Sequence, residues 1–376
     1  MPGRQTAEEV RLLAPRYGRV GAAATPLTED QRAAWRRYFE ALESGALTRL
    51  DHGACPQCGA EERRIIAETD RYGDAVRTAL CKGCGLIYST NPFDAASTVG
   101  FYRDHYRALY TKSEDRRAAV TSMFAKTLAS ADKAKRLADH LGLVPGRDRI
   151  VEIGAGAGWN LAPYAAAGFQ TIGLDYDAEL AELGGARGIE MIDLGDRTPA
   201  DVIREPVSMI ILQEVLEHTI DPFETLCEIN DLLTPNGVLY LTVPSFEELP
   251  FGAANGRLLG LLQNAHNFLF DQWTLTAYLR QAGFEPLIVR SELRVVARKI
   301  GAPKRAPTPI PGNFTRAARR LWWSERVLQY YWRGLALAAR LVGGGKSMYY
   351  RIKGAHRQLL SPRRRREIAE QRTIGC

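Results

Sequence analysis

Residues 151–160 read VEIGAGAGWN, and this stretch decides the fold class. Its apolar start leads directly into Gly154, Gly156 and Gly158, which indicates a buried strand that turns sharply into a helix. The N-terminus of a helix after such a turn favours a negatively charged group. Asp175 follows Gly154 by 21 residues and closes the next apolar run. A carboxylate at that point can accept hydrogen bonds from both hydroxyls of a ribose.

Short apolar runs rich in β-branched residues continue this pattern as far as residue 300. They are RIVEIGA (149–155), TIGLDY (171–176), IEMIDL (189–194), VSMIILQEV (207–215), VLYLTVP (238–244), PLIVRS (286–291) and RVVARKI (294–300). Helical segments separate most of the first five, which is typical of parallel strands in an α/β protein. Only Glu292 and Leu293 separate the last two, and so short a link permits a hairpin but no crossover. The sequence therefore predicts a seven-stranded α/β sheet whose last strand is antiparallel.

The spacing of the glycines indicates which class of ligand the loop could bind. The dinucleotide fingerprint is G-x-G-x-x-G, whereas this loop reads G-x-G-x-G and continues with Trp159. A glycine turn without any ligand is the simpler interpretation. The coincidence of strand, turn, helix and acidic strand end favours a binding loop instead.

The order of these motifs resembles the class I S-adenosylmethionine (SAM) methyltransferases. VEIGAGAG is similar to the first motif of that family, and GLDYD is similar to the second. LQEVLEHTIDPF and LLTPNGVLYLTVPS resemble the fourth and fifth strands with their connecting helix, and HNFLFDQWTLTAYLRQAGF resembles the region before the last two strands. The resemblance covers about residues 100–300 and implies a Rossmann-like methyltransferase sheet, which also ends in a reversed strand.

This resemblance implies a set of cofactor-binding residues. Asp175 would hold the ribose, Asp193 or Leu194 would lie by the adenine, and Gln213 would lie near the methionine end of SAM. The glycine loop and the carboxylate before it would contact the cofactor. The candidate cofactor-binding residues are Glu152, Gly154, Gly156, Gly158, Asp175, Asp193, Leu194 and Gln213.

A base that removes the acceptor's proton is the remaining catalytic requirement, and histidine suits it at neutral pH. His266 lies between the fifth and sixth strands, where the resemblance places the acceptor pocket, whereas His218 is better interpreted as a packing or capping residue. Sugar C-methyltransferases with a similar cysteine-rich N-terminus carry a Glu-His pair there. In this chain Ala265 precedes His266. The sequence therefore favours O-methylation over C-methylation, with His266 as the candidate base.

Four cysteines form two C-x-x-C-G knuckles, Cys55–Cys58 and Cys81–Cys84, which are separated by 22 residues. Four thiolates in this pattern can close tetrahedrally around zinc, and an all-cysteine site leaves no position for water, so the metal would be structural. Disulfides are the alternative, but the charged N-terminus is no secretory signal, and we expect a cytoplasmic, reducing environment.

The zinc knuckles leave two substrate classes open. A zinc-containing ribosomal RNA methyltransferase is the rival interpretation, although residues 51–98 are not notably basic and show no aromatic residues interleaved with Lys and Arg. We prefer the resemblance to methyltransferases that act on deoxysugars or polysaccharides, so nucleic acid is not the expected partner. A SAM-binding scaffold without activity is the competing interpretation outside catalysis.

Positive charge is concentrated at the C-terminal end. Residues 302–376 hold 17 Lys and Arg against 3 Asp and Glu, while the whole chain has a net charge of +7. After a proline-rich linker, residues 315–342 have a helical pattern rich in Arg, Trp and Tyr. Two interpretations fit: an interfacial helix on an anionic membrane, or a helix that packs on the methyltransferase domain with its arginines in solvent. The second is preferred.

The sequence thus predicts four parts: a helical segment (1–50), a four-cysteine zinc module (51–97), a SAM-dependent methyltransferase domain with a helical cap (98–301) and a basic helical extension (302–376). The predicted activity is methyl transfer to a hydroxyl of a sugar, polysaccharide or other natural product.

Overall fold

The computed structural model describes residues 8–110, 116–251, 253–290 and 292–341. These residues divide into two compact units that each combine separate stretches of the chain. The cysteine unit contains the described parts of 1–110, 244–275 and 306–370, and the sheet unit contains those of 111–243 and 276–305. The division made from the sequence follows the linear order of the chain, whereas each compact unit combines distant stretches. The four-part division stays a prediction.

Twelve strands are present in the described residues. They are β1 Glu8–Val10, β2 Arg63–Ala67, β3 Thr78–Cys81, β4 Ile87–Ser89, β5 Arg149–Ile153, β6 Gln170–Asp175, β7 Glu190–Asp193, β8 Val207–Gln213, β9 Leu233–Thr242, β10 Phe268–Leu269, β11 Phe284–Val289 and β12 Arg294–Lys299. Strands β5 to β9, β11 and β12 coincide with the seven runs that the sequence analysis identified as strands.

The α-helices are α1 Glu29–Glu43, α2 Ala95–Phe101, α3 Arg107–Tyr110, α4 Arg116–Leu128, α5 Ala131–Leu141, α6 Ala162–Ala166, α7 Ala178–Gly185, α8 Pro199–Val202, α9 Pro222–Leu232, α10 Gln272–Gln281, α11 Asn313–Trp323 and α12 Gln329–Leu341. Short π-helical segments, Tyr102–Tyr106 and Ser324–Leu328, connect α2 to α3 and α11 to α12. No helix in the described ranges is long and apolar enough to cross a lipid bilayer.

The sheet unit is built on seven strands in the order β11-β12-β9-β8-β5-β6-β7. Strands β5 to β9 are mutually parallel, and β12 is antiparallel to both β9 and β11. The predicted reversal of the last strand is therefore confirmed. β11 ends at Val289 and β12 begins at Arg294, and Leu293 in this short link has a φ of 51°.

The core of the sheet unit explains why these runs form strands. Ile150, Met209, Ile211 and Val238 project from β5, β8 and β9 into one buried apolar cluster, which Ala138 of α5 completes. Branched side chains pack well on a pleated surface that is covered by helices. Because the parallel strands β5 to β8 all run in one direction, their C-terminal ends meet at one edge of the sheet.

The cysteine unit has its own five-stranded sheet, in the order β1-β2-β3-β4-β10. Strand β10 comes from the segment between the fifth and sixth strands of the other sheet, and Phe268 and Leu269 pair antiparallel with Tyr88 and Ile87 of β4. Backbone hydrogen bonds thus join this segment to β4, the strand that follows the second cysteine knuckle.

Helix α11 also belongs to the cysteine unit. Ala317 and Leu321 are buried in an apolar cluster with Ile66 and Leu80 of β2 and β3. At the next turn, Glu325 is buried and ion-paired with Arg16. The sequence analysis expected packing on the methyltransferase domain; in the structure, the described helix packs within the cysteine unit.

Candidate functional site

The glycine loop follows β5 and has the backbone conformation that its sequence requires. Gly154, Gly156 and Gly158 have φ values of 71°, 58° and 75°, which lie in the left-handed region that favours glycine. A Cβ atom on Gly156 would lie 2.7 Å from the Trp159 ring. The loop therefore needs glycine for both its turn and its close packing.

Asp175, the last residue of β6, is fixed against this loop. Its Oδ2 atom accepts a hydrogen bond from the backbone N–H of Gly156 at 2.7 Å, and its Oδ1 atom accepts one from the N–H of Asp177 at 2.9 Å. Two hydrogen bonds to the backbone hold the carboxylate beside the loop. This is the arrangement needed for a carboxylate that receives hydroxyl groups of a ribose.

Glu152 is a fully buried carboxyl group of the sheet unit. It lies on β5 with 0% exposure, and its Oε1 atom accepts a hydrogen bond from Asn160 at 2.7 Å. Its Oε2 atom is buried and has no hydrogen-bond partner among the described residues. Burial raises the pKa of this carboxyl to about 8, with a smaller contribution from the charge of Asp175.

The unpartnered oxygen of Glu152 fits a ligand that brings positive charge and hydrogen-bond donors. SAM carries both an ammonium and a sulfonium group, and an opposite charge offsets the cost of ionising a buried carboxyl. Together with Asp175 and the glycine loop, Glu152 could hold the amino-acid end and the ribose of this cofactor.

The remaining predicted cofactor residues lie at the same edge of the sheet. Asp193 ends β7 and pairs in register with Asp175, and the backbone N–H of Leu194 donates to the carbonyl of Asp175 at 2.8 Å. Asp193 is exposed and Leu194 is buried. Gln213 ends β8. The structure thus brings together the whole set of residues that was predicted for SAM.

A cleft of about 900 Å³ opens in the sheet unit and includes Gln213 and Asn160 in its lining. Tyr240 of β9 also lines it, and burial raises the pKa of that phenol. Four cationic side chains also line the cleft: Lys126, Lys133, Arg290 and Arg294. No carboxylate of the described chain lines it. Sequence reasoning missed these four residues, since they share no motif and only the folded sheet places them together. It also left out Asn160, although this residue ends the quoted stretch 151–160.

His266 belongs to the cysteine unit, whereas all the candidate cofactor residues belong to the sheet unit. Its Nε2 atom is hydrogen-bonded to the side chain of Gln263. His218 lies in a short 3₁₀ turn, with Nε2 3.7 Å from a carboxylate oxygen of Glu217. The catalytic assignment of His266 remains a prediction.

A buried polar network holds the segment that carries His266. The backbone N–H of Asn264 donates to Asp70 at 3.0 Å, and the hydroxyl of Tyr110 donates to the Asn264 side chain. Arg71 donates to Gln263, the hydrogen-bond partner of His266. Burial raises the pKa of Asp70 to about 7. The segment is therefore positioned by the residues that follow β2, a relationship that no motif in the sequence indicated.

The four cysteines of the two knuckles converge. Cys55 Sγ lies 3.6 Å from Cys84 Sγ, Cys58 Sγ lies 3.5 Å from Cys81 Sγ, and all four sulfur atoms are within 4.8 Å of one another. Zinc–sulfur bonds of about 2.3 Å in a tetrahedron place sulfur atoms roughly 3.8 Å apart. The donor set and its spacing therefore fit a tetrahedral zinc ion.

Comparisons with known proteins agree with this geometry. Residues 114–289 match a family model described as a methyltransferase domain. The C-methyltransferase NovU of Streptomyces niveus is 30% identical over 117 residues, which cover 30% of this chain and 27% of that protein. The ubiquinone biosynthesis O-methyltransferase of Dinoroseobacter shibae is 28% identical over 150 residues, which cover 37% of this chain and 60% of that protein.

Among solved structures, magnesium protoporphyrin IX methyltransferase from Synechocystis is 15% identical, with a TM-score of 0.37; the match covers 54% of this chain and 94% of that one. The chain spans about a quarter and about three fifths of the two curated relatives. This chain is therefore similar to methyltransferases over residues 114–289, a little under half of its length.

Proposed function

We propose that this chain transfers a methyl group from SAM to a hydroxyl oxygen of a small, sugar-like or related natural-product acceptor in the cytoplasm. One observation carries the cofactor part of the proposal: the loop N–H of Gly156 and the carboxylate of Asp175 are hydrogen-bonded beside the buried, unpartnered oxygen of Glu152. A glycine turn that served only the fold would not require a buried carboxyl with an unused oxygen.

Different residues at this edge of the sheet would bind different parts of the cofactor. Asp175 would accept hydrogen bonds from the ribose hydroxyls, and ionised Glu152 would face the positively charged amino-acid end. Asp193 and Leu194 would lie by the adenine, and Gln213 would lie by the methionine end. Bound SAM would supply an electrophilic methyl group. The protein's own task is then to align the acceptor and to accept its proton.

His266 is the proposed proton acceptor. The hydrogen bond between its Nε2 atom and the Gln263 side chain limits the rotation of the ring. Sugar C-methyltransferases are expected to carry a Glu-His pair here. Because Ala265 occupies the position of the glutamate, His266 remains as a single base. A single base suits the removal of a hydroxyl proton better than that of a carbon-bound proton, which supports O-methylation.

The cleft in the sheet unit supports an oxygen-rich acceptor. Tyr240, Asn160 and Gln213 offer hydrogen-bond donors and acceptors, and the surrounding lysines and arginines add positive charge. Polar groups in a concave site fix orientation and provide specificity. C-methylation stays the alternative that the relative from Streptomyces favours, and ribosomal RNA stays the alternative substrate class.

We also propose that Cys55, Cys58, Cys81 and Cys84 bind a structural zinc ion. The sulfur spacing supports this assignment, and the tight turns at Gly59 and Gly85, with φ values of 72° and 78°, match the knuckle pattern. Zinc bound there would tie the loop before β2 to the turn between β3 and β4.

Isothermal titration of the zinc-loaded full chain with SAM tests the cofactor part. Saturable binding that Asp175→Ala weakens would support the proposal, whereas a folded chain that does not bind SAM would leave an inactive scaffold as the better account. Labelled SAM then distinguishes the substrate classes. Methyl label in small molecules supports the proposal, and label in ribosomal RNA, together with copurifying nucleic acid that salt removes, supports the rival.

A further inference from the structure

A second large cleft, of about 880 Å³, lies within the cysteine unit, between the N-terminal strand region and α11. Six arginines line it: Arg11, Arg64, Arg316, Arg319, Arg320 and Arg326. We refer to this feature as the arginine cleft. Neither the cofactor residues nor the four cysteines are part of it.

Few negative charges balance these arginines. Arg64 is paired with Glu9 at 3.1 Å, but Glu9 also contacts Lys82 at 3.4 Å. Arg320 is paired with Glu247 at 3.4 Å. Among the described residues, two carboxylates therefore pair with this set of six guanidinium groups, and one of the two is shared with a lysine outside the cleft.

Arg11, Arg319 and Arg326 are exposed and have no carboxylate partner in the part of the chain that the structure describes. Like charges at close range repel, and nothing in the packing of α11 requires arginine at these exposed positions. Guanidinium groups bind phosphate oxygens in a bidentate manner and keep their charge at any physiological pH. The chemistry of the cleft therefore fits phosphate groups.

Two tryptophans stand beside these arginines on the outward side of α11. Trp322 is 53% exposed and Trp323 is 50% exposed. Tyr330 at 63% and Leu337 at 58% continue the exposed apolar row along α12. The opposite side of the helices is already packed, with Leu321 and Trp332 fully buried. Internal packing thus leaves the outward rings without a role.

We infer that the arginine cleft and the outward faces of α11 and α12 form a docking surface for an anionic lipid membrane. The arginines would contact headgroup phosphates, and the tryptophan rings would lie at the boundary between headgroups and acyl chains, where Trp is enriched. This surface is separate from methyl transfer and would bring the enzyme to a lipid-embedded or surface-bound acceptor.

The chain that follows α12 is a poor occupant for the same surface. Residues 342–376 contain nine Lys and Arg against two Asp and Glu, so like charge opposes their binding in the cleft. Nucleic acid would satisfy the arginines. It would not use Leu337, because bases stack on aromatic faces and a leucine offers none. A lipid surface accommodates both the charges and the apolar row.

Cosedimentation of the zinc-loaded full chain with vesicles tests this inference. Phosphatidylcholine vesicles with about 30% phosphatidylglycerol are compared with pure phosphatidylcholine, using wild type, Arg319→Glu/Arg326→Glu, and the matched control Arg36→Glu/Arg37→Glu. The control changes charge equally at two exposed positions of α1 in the same unit. We expect wild type and control to bind anionic vesicles, and the cleft variant to bind at least about tenfold more weakly.

Tryptophan fluorescence gives a second measurement. The emission of wild type should shift to the blue on anionic vesicles, and Trp322→Phe/Trp323→Phe should keep binding but lose most of that shift. Equal binding by the cleft variant and its control, or an unchanged shift in the Phe variant, would overturn the inference. So would retention on single-stranded RNA together with no binding to vesicles. SAM titration of the same samples separates this result from the proposed function, since Arg319 and Arg326 lie outside the cofactor residues.

Discussion

The Asp175 carboxylate accepts a hydrogen bond from the backbone N–H of Gly156 at 2.7 Å, which joins the end of β6 to the glycine loop after β5. These residues lie 19 positions apart in the sequence. The contact places a negative charge beside a loop whose backbone can approach a ligand closely. In the proposed cofactor site, Asp175 would be the anchor.

Replacement of Asp175 by alanine should weaken SAM binding by roughly 10-fold to 100-fold, because hydrogen bonds from ligand hydroxyls to a charged group contribute about 1.5–3 kcal/mol. Asp132→Ala, which removes an acidic side chain from the first turn of α5, serves as the matched control. Isothermal titration of both variants gives the comparison. Equal affinities in the two variants would exclude Asp175 from the cofactor site.

The raised pKa of Glu152 predicts a pH-dependent affinity. The pKa is about 8 in the cofactor-free protein, so the carboxyl is protonated at pH 6 and must lose its proton to face a cation. Affinity for SAM should therefore rise between about pH 6 and pH 8.5, by up to roughly tenfold per pH unit. Glu152→Gln should bind SAM more weakly and lack this increase. The control variant Glu190→Gln should show the same increase as wild type. A Glu152→Gln profile parallel to wild type would contradict the assignment.

The same pKa shift has a consequence for stability. The pKa of Glu152 is raised from 4.5 to about 8 on folding, so its contribution is fully present below pH 4.5 and is lost as the pH rises through 8. Urea unfolding of the cofactor-free chain should show this loss between about pH 5 and pH 9. The loss should be smaller in Glu152→Gln, which carries no titratable group at that position.

Zinc content should follow the four knuckle cysteines alone. Elemental analysis of the purified chain should give one zinc per chain, and Cys58→Ser should lower both the zinc content and the melting temperature. Cys227→Ser removes a free cysteine of the sheet unit and should leave both unchanged. Full zinc occupancy in Cys58→Ser would mean that the metal lies elsewhere.

Packing of the basic extension can be measured with a pair of leucines. Leu321 on α11 is fully buried and Leu337 on α12 is exposed. Leu321→Ala should reduce the free energy of unfolding by about 2–5 kcal/mol, whereas Leu337→Ala should change it by less than about 0.5 kcal/mol. Denaturant unfolding of both variants provides the test, and similar small effects would show that α11 does not stabilise the cysteine unit.

His266→Ala tests the proposed base. Methyl incorporation from labelled SAM into the small-molecule fraction of a cell extract should fall by about 10²-fold to 10⁴-fold, while the affinity for SAM stays the same. His140→Ala, at an exposed position of α5, is the control. Unchanged incorporation in His266→Ala would remove this residue from the mechanism.

Much of the sheet unit could be predicted from the sequence because its signals are local. Apolar runs of six to nine residues define strands, glycines define the loop after β5, and the short link before Arg294 defines a reversed last strand. The cysteine knuckles are equally local, since the spacing within each pair already fits a metal. Each of these features depends on neighbours in the chain, so the residues themselves specify it.

Tertiary structure alone decided the relationships between distant segments. The pairing of Phe268 with Tyr88, the burial of Leu321 beside Leu80 and the lining of both clefts join residues far apart in sequence. Such contacts depend on which apolar surfaces remain uncovered after the local elements form. The hydrophobic periodicity of the sequence does not predict them. The sequence determined the strands, the loop and the knuckles, and the folded chain determined which charged and aromatic side chains share a surface.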